Sequence, residues 1–140
     1  MPWSDTLTNG NKIQMIQRPR GKRGGGIAIL SRKSKITITE YKIKTSGHEI
    51  LVTKGKIQNN SRPMFIIAVY IKPSLTRDKK NHYMRTLTDI VTKIKTDHKS
   101  PYICVAGDFN RMQTNELTDL FHDINEADSP QQERRQDLIF

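Results

Sequence analysis

Apolar residues along this chain fall in short runs separated by glycine, proline and polar clusters, which is the pattern of buried β-strands. Five strands are predicted this way: at residues 27–30, within 35–44, at 50–52, over 64–71 and over 102–106. The most apolar run, residues 64–71, predicts a central strand covered on both faces. The alternation within residues 35–44 changes phase, which indicates a bulge or two short strands.

A helical spacing replaces this pattern after Pro73. The apolar residues that recur there on one helical face are Tyr83, Leu87, Ile90, Val91 and Ile94. Thr76 is the predicted N-cap of this helix, with Asp78 in its first turn. A shorter helix is predicted over residues 117–124, and residues 137–140 predict a final strand. This order of elements favours an α/β fold with a mixed sheet.

The start of the chain is more polar. Residues 1–23 contain scattered proline and glycine, and we expect a basic, loop-rich segment there. Gly24-Gly25-Gly26 then opens the first predicted strand, so the domain is expected over residues 24–140. A length of 140 residues suits one domain.

Charge is unevenly distributed along the chain, whose formal net charge is +10. Residues 107–140 contain eight Asp or Glu against three Arg, a net −5, which leaves +15 on residues 1–106. Such a basic balance favours polyanionic partners, nucleic acid before an acidic membrane surface. A solvated basic surface without a partner explains it equally well.

Cys104 is the single cysteine of the sequence, so an internal disulfide framework and a cysteine-rich zinc site are excluded. No apolar run reaches the length of a membrane span, and residues 1–5 carry no signal-peptide core. We therefore expect an intracellular monomer, nuclear or cytoplasmic, without a membrane partner or a disulfide-linked partner.

The candidate chemistry lies in Gly107-Asp108-Phe109-Asn110, directly after a predicted buried strand. Active sites of α/β folds lie beyond the carboxyl ends of strands. In an extended loop, Asp108 and Asn110 would share one face. The carboxylate could then take a proton from a water molecule, while the carboxamide donates to that water or to a phosphoryl oxygen. The alternative is an Asx turn that simply ends the strand.

Four segments carry motifs in a fixed order: RPRGKRGGGIAI at residues 18–29, IAVYIKPS at 67–74, ICVAGDFN at 103–110 and RRQDLIF at 134–140. This order resembles the endonuclease/exonuclease/phosphatase superfamily, and most closely the nuclease domains of non-LTR retrotransposons. The resemblance covers about residues 18–140. It implies a DNase I-like α/β fold, a sandwich of two mixed β-sheets flanked by helices, truncated here at both ends.

The same resemblance implies hydrolysis of DNA phosphodiester bonds with Mg²⁺, or with Mn²⁺ as an alternative. Asp108 would orient and deprotonate the attacking water. Asn110 would position that water and stabilise charge on the phosphoryl group, and both residues would help to hold the metal. Tyr70 would contact the scissile phosphate, unless it is simply an aromatic residue at a strand end. Asp137 would orient a catalytic histidine, unless it only starts a strand. The nucleic-acid contacts would be Arg20, Lys22 and Arg23, unless they belong to a disordered basic tail.

Two features of the resemblance are missing from the sequence. A metal-binding Glu is expected before the triple glycine, and an Asp-His pair is expected after the segment that contains Asp137. None of the four histidines fits the catalytic position, and His82 and His98 are expected at the surface. We therefore expect the chain by itself to be weakly active or inactive. The alternatives are a catalytically silent nucleic-acid-binding protein and a related phosphatase acting on lipid or small-molecule phosphates.

Overall fold

The computed structural model describes residues 12–19 and 26–110, and the backbone of residues 137–139. The elements in chain order are β1 (Ile13–Pro19), β2 (Gly26–Arg32), β3 (Ile36–Glu40), β4 (Ile50–Ile57), β5 (Pro63–Tyr70), α1 (Arg77–Asp97), β6 (Tyr102–Asp108) and β7 (Asp137–Ile139). They form a smaller β1–β2 sheet and a larger sheet in the order β3-β4-β5-β6-β7.

The larger sheet is mixed, because β5 and β6 run parallel while its other neighbouring strands are antiparallel. Within the described residues the smaller sheet is one antiparallel pair. Two sheets with a helix on the outer face confirm the predicted α/β sandwich.

Strand β1 lies where the sequence predicts a loop, and that prediction is wrong for these residues. All seven residues of β1 pair with β2, from Ile13 opposite Arg32 to Pro19 opposite Gly26. The Gln14 side chain also joins β1 to the larger sheet. It accepts a hydrogen bond from the Ile38 N–H at 2.9 Å and donates one to the Ile38 carbonyl. Long-range pairing therefore makes this segment a strand, which local alternation does not reveal.

Strand β5 is the middle strand of the larger sheet and is covered on both faces, as predicted. Phe65, Ile67 and Val69 belong to the core beneath α1. Ile66 and Ala68 point the other way and pack in the core beneath the β1–β2 sheet. The predicted irregularity within residues 35–44 is the end of β3 at Glu40, after which residues 41–45 form no regular strand.

Helix α1 connects the carboxyl end of β5 to the start of β6, which is why these two strands run parallel. Thr76 caps it as predicted, accepting a hydrogen bond from the Lys79 N–H at 3.3 Å. All five apolar residues predicted on its inner face are buried. No helix of the described residues is long and apolar enough to cross a membrane.

His98 follows α1 and is half-buried, so its predicted surface position is wrong. Its ring packs at 4.7 Å from the Phe65 ring and 5.8 Å from the Tyr41 ring, measured between centroids. The predicted strand near the end of the chain is confirmed by β7, whereas the predicted helix at residues 117–124 lies outside the described residues.

Candidate active site

Four residues form a row across one edge of the larger sheet. Tyr70 and Asp108 are register partners at the carboxyl ends of the parallel strands β5 and β6. The backbone of Asp137 pairs with Asp108 on the far side. On the near side, the Glu49 carbonyl accepts a hydrogen bond from the Tyr70 N–H at 3.2 Å. Because neighbouring strands lie about 4.8 Å apart, this row brings distant parts of the sequence together. We call these residues the edge row.

The side chains of Tyr70 and Asp108 point to the same side of the sheet, because directly paired residues share a face. It is the side of Ile66 and Ala68, which is covered by the β1–β2 sheet. Both Tyr70 and Asp108 are half-buried. The two side chains therefore lie at the rim of the space between the two sheets.

The loop after β6 is held by one buried anchor. Phe109 is fully buried in the core beneath α1. The Ile71 N–H also donates to the Asp108 carbonyl at 2.9 Å, which extends the pairing of β5 with β6 by one residue. With Phe109 directed into the core, the flanking Asp108 and Asn110 remain at the surface of the edge, each half-buried.

Asp108 and Asn110 are in direct contact. The Asn110 N–H donates to Asp108 Oδ1 at 3.0 Å, and Asn110 has a left-handed φ of 46°. The Asn110 Nδ2 donates to the Ile71 carbonyl. A carbonyl oxygen can only accept a hydrogen bond. The Asn110 amide must therefore present its NH₂ group, and not its oxygen, to Ile71. Among the described residues, one amide N–H, the amide oxygen and the remaining carboxylate lone pairs have no hydrogen-bond partner, although the same geometry also satisfies the predicted Asx turn.

Solved structures of known proteins share this arrangement of strands. No protein-family model and no curated protein matches the sequence. The structure of humanized D. rerio TDP2 has 18% identity and a TM-score of 0.60, and the match covers 91% of this chain and 57% of that one. The endonuclease domain of TRAS1, a telomere-specific non-LTR retrotransposon, has 16% identity and a TM-score of 0.63, with 91% and 66% covered. The human Nocturnin catalytic domain, solved with a bound sulfate anion, has 14% identity and a TM-score of 0.64, with 91% and 59% covered.

The chain shares the DNase I-like fold of these three structures. It spans between 57% and 66% of the length of these three structures. The fold resemblance suggested by the four sequence motifs is thereby confirmed.

Two of the described side chains at the edge row offer oxygen atoms of the kind that a hard cation prefers. Mg²⁺ prefers several oxygen ligands and retains water molecules. The Asp108 carboxylate and the Asn110 amide oxygen are suitable donors. Glu49 is in an ion pair with Lys72, at 3.5 Å between Nζ and Oε1. Across residues 12–19 and 26–110, no group of three or more His, Cys, Asp or Glu is placed to hold a metal. The described donors therefore do not complete such a site.

Tyr83 on α1 supports the edge row from the helix side, a role that the sequence does not reveal. Its hydroxyl donates to the Glu49 carbonyl at 2.6 Å and accepts from the Tyr70 N–H at 3.1 Å. Burial raises the pKa of the Tyr83 phenol well above its ordinary value. The phenol therefore stays protonated and can donate its hydrogen bond. Through Glu49 and Tyr70 the hydroxyl connects the start of β4 with the end of β5.

His48 and His82 form a second feature that sequence motifs miss. His48 Nε2 and His82 Nδ1 lie 2.7 Å apart, a hydrogen bond that requires one donor and one acceptor. Burial, and secondarily the charge of His82, lowers the pKa of His48. His48 also lines a cavity of about 350 Å³ beside the edge row, together with Arg18, Glu49 and Lys72. To predict this pair from the sequence, one would need to know both which face of α1 carries His82 and which residues lie opposite each other around the start of β4.

The structure thus brings together Tyr70, Asp108 and Asn110, with the backbone of Asp137 beside them. The three residues predicted to contact nucleic acid, Arg20, Lys22 and Arg23, lie outside the described residues. Arg18, just before them, has a structural role. Its Nη1 donates to the Ile50 carbonyl at 2.9 Å, and its Nη2 lies 3.8 Å from a Glu40 carboxylate oxygen.

Proposed function

We propose that the edge row is the reacting part of a metal-dependent phosphodiester hydrolase that acts on DNA. The observation that carries this proposal is the register pairing of Tyr70 with Asp108, with Asn110 in contact with Asp108. Polar groups at the carboxyl ends of adjacent parallel strands are the usual place for an α/β active site. The shared fold with an endonuclease domain of a non-LTR retrotransposon supports DNA as the substrate.

Three side chains of the edge row, and Asn110 beside it, have a chemical role in this proposal. The Asp108 carboxylate accepts the proton of the attacking water. The second amide N–H of Asn110 donates to that water or to a phosphoryl oxygen, because its first is used by the Ile71 carbonyl. Tyr70 lies one strand away and contacts the phosphate. Asp137, whose backbone pairs with Asp108, would orient a catalytic histidine, a partner that none of the four histidines of this sequence matches.

Mg²⁺, or Mn²⁺ in its place, belongs to this proposal as the source of positive charge that offsets the developing charge on the phosphoryl oxygens. Asp108 and the Asn110 amide oxygen would be two of its ligands. Because the described residues do not complete a metal site, we expect the chain by itself to cleave DNA slowly.

The test is nicking of supercoiled plasmid DNA with excess protein and Mg²⁺. We expect slow nicking that Asp108→Ala lowers by about a hundredfold or more, since a positioned general base contributes about 10²–10⁴ to a rate. Asp89→Ala is the matched control, because it removes the same charge from an exposed position on α1. Equal nicking by wild type and Asp108→Ala would refute the proposal.

A second candidate is a nucleic-acid-binding protein without catalysis. It is favoured by the hydrogen bond from the Asn110 N–H to Asp108, which is the bond of a simple Asx turn. This candidate predicts salt-dependent DNA binding, no nicking in any metal, and no effect of Asp108→Ala on binding. The plasmid assay and a binding assay together separate the two candidates.

A further inference from the structure

A basic groove lies at the end of the larger sheet opposite the edge row. It consists of two adjoining cavities, of about 450 Å³ and 340 Å³, that share Thr37 and Lys56. Five cationic side chains line it: Lys33, Lys35, Lys54, Lys56 and Arg62. The other lining residues are small, hydroxyl-bearing or amide-bearing, and none is Asp or Glu. We call this feature the distal groove.

The strand register places the lysines of β4 in a regular row. Lys54 pairs with Thr39, and Lys56 pairs with Thr37. Because they are two residues apart, the two lysines point to the same side of the sheet, with backbones about 6.6 Å apart. Both are exposed. Each lysine therefore lies beside a threonine hydroxyl of the neighbouring strand, on a backbone held by the hydrogen bonds between β3 and β4.

Arg62 at the rim of the distal groove is held in place. Its guanidinium carbon lies 3.7 Å from the centroid of the Tyr102 ring, and its Nε donates to the Ser100 carbonyl at 2.7 Å. Among the described residues, no hydrogen-bond partner of the two terminal nitrogens is found, so their N–H groups can donate to a ligand. Since the side chain is already ordered, binding an anion costs little conformational entropy there.

The charge of the distal groove is not neutralised within the described part of the chain. The ion pairs found there join Arg18 to Glu40, Lys72 to Glu49, and Lys93 to Asp97. None of them involves a cation of the groove. Five cations in a concave surface raise the local concentration of a polyanion.

We propose that the distal groove binds the sugar–phosphate backbone of a nucleic acid, without reading its bases. Hydroxyl and amide side chains among cations are the groups that contact phosphates and sugars. The cations extend over two cavities, which suits a chain of phosphates better than a single one. The surface is concave and no large apolar side chain lines it, whereas binding to a lipid surface is favoured by exposed apolar residues.

The distal groove is separate from the edge row. The Met64–Tyr102 pair and the Tyr70–Asp108 pair are six residue steps apart along β5, a distance of about 20 Å. Lys54 pairs with Phe65, which faces α1, so the groove opens on the opposite side of the sheet from Tyr70 and Asp108. It would hold a different segment of nucleic acid from the one at the edge row. Binding in the distal groove therefore does not depend on the proposed hydrolysis.

The test measures fluorescence anisotropy of a labelled oligonucleotide, single-stranded and as a duplex, with EDTA present so that no cleavage occurs. We expect Lys54→Glu/Lys56→Glu to weaken binding of at least one form by about tenfold or more, and to lower the salt slope for a single strand by about 1.4, at about 0.7 per lost phosphate contact. Lys42→Glu/Lys44→Glu is the matched control, with the same charge change, the same spacing and exposed side chains. We expect it to change binding by less than about twofold.

Equal weakening in both double variants would overturn the proposal, because net charge alone would then explain binding. Unchanged binding in the groove variant would also overturn it. The proposal would also be overturned if the groove variant lost binding to phosphatidylserine vesicles but bound the oligonucleotide as wild type does. If the charge reversal disturbs the fold, Lys54→Gln/Lys56→Gln carries the same test, with an expected loss of about threefold or more. Because the anisotropy is measured with EDTA present, a failure of the proposed hydrolysis is seen separately, in the nicking assay with Mg²⁺.

Discussion

Replacing Gly107 by alanine probes the close approach of β5 and β6 at the edge row. Gly107 lies opposite Val69, and a Cβ at this position would lie 2.0 Å from the Val69 carbonyl oxygen and 2.8 Å from its Cγ2. The φ of Gly107 is +153°, a conformation that residues with a side chain rarely adopt. Because the nearest atom belongs to the backbone, no rotamer change relieves the contact, and the two strands must separate.

The expected loss of stability follows from these two effects. An unfavourable backbone conformation costs about 1–3 kcal/mol. Forcing an extra carbon into a packed site costs about another 1–3 kcal/mol. We therefore expect Gly107→Ala to lower the free energy of unfolding by about 2–6 kcal/mol, a large share of the roughly 5–15 kcal/mol of a typical domain.

Urea unfolding followed by circular dichroism measures this loss. Gly47→Ala is the control, because Gly47 also has a positive φ of +76° but no atom lies within 4 Å of the position that a Cβ would take there. That variant reports the cost of a positive φ without a close contact, so a larger loss in Gly107→Ala is expected from its more strained φ together with the contact with Val69. A loss in Gly107→Ala no larger than that in Gly47→Ala would refute the argument.

Three further predictions concern the supports of the edge row. Tyr83→Phe should lower the free energy of unfolding by about 1–2 kcal/mol in urea, because the two hydrogen bonds of the hydroxyl are lost while the Tyr70 N–H still donates to the Glu49 carbonyl. Thr76→Ala should cost about 1 kcal/mol in the same assay, because α1 loses its N-cap. The lowered pKa of His48 favours its neutral form in the folded state. Stability from this source is present above the ordinary pKa of 6.5 and is lost as the pH falls below it. Between about pH 7.5 and pH 5.5, wild type should therefore lose more stability than His48→Gln.

Each of these predictions has a clear contrary result. An unchanged urea midpoint in Tyr83→Phe would mean that the hydroxyl does not bridge β4 and β5. Thr96→Ala, near the other end of α1, should be close to neutral, and an equal loss there would remove the capping explanation for Thr76. An identical pH dependence in wild type and His48→Gln would show that His48 does not couple folding to protonation.

The sequence predicts those parts of the fold that depend on local pattern. The apolar run of β5 and the helical spacing of α1 are clear from the residues themselves. Strand β1 is not, because its apolar residues do not alternate strictly and its pairing with β2 is a long-range interaction. The burial of His98 between Tyr41 and Phe65 has the same origin, since it depends on how the loop after β3 crosses the end of α1.

The candidate site divides in a similar way. The motif around Asp108 and the strand that ends in Tyr70 are visible in the sequence, and the parallel pairing of their strands explains why they meet. The position of Glu49 beside Tyr70 requires the register of β4, which no local pattern contains. The sequence also does not show that one N–H of the Asn110 amide donates to the Ile71 carbonyl.

The most direct test of the central claim separates the chemical role of Asp108 from its role in the turn. Asp108→Asn retains a side-chain oxygen that can accept from the Asn110 N–H, but it removes the carboxylate charge and the proton acceptor. The measurement is the rate of Mg²⁺-dependent plasmid nicking, with the free energy of unfolding determined on the same samples. If Asp108 takes the proton of the attacking water, nicking falls about a hundredfold or more while stability changes little. Unchanged nicking in Asp108→Asn would contradict that role.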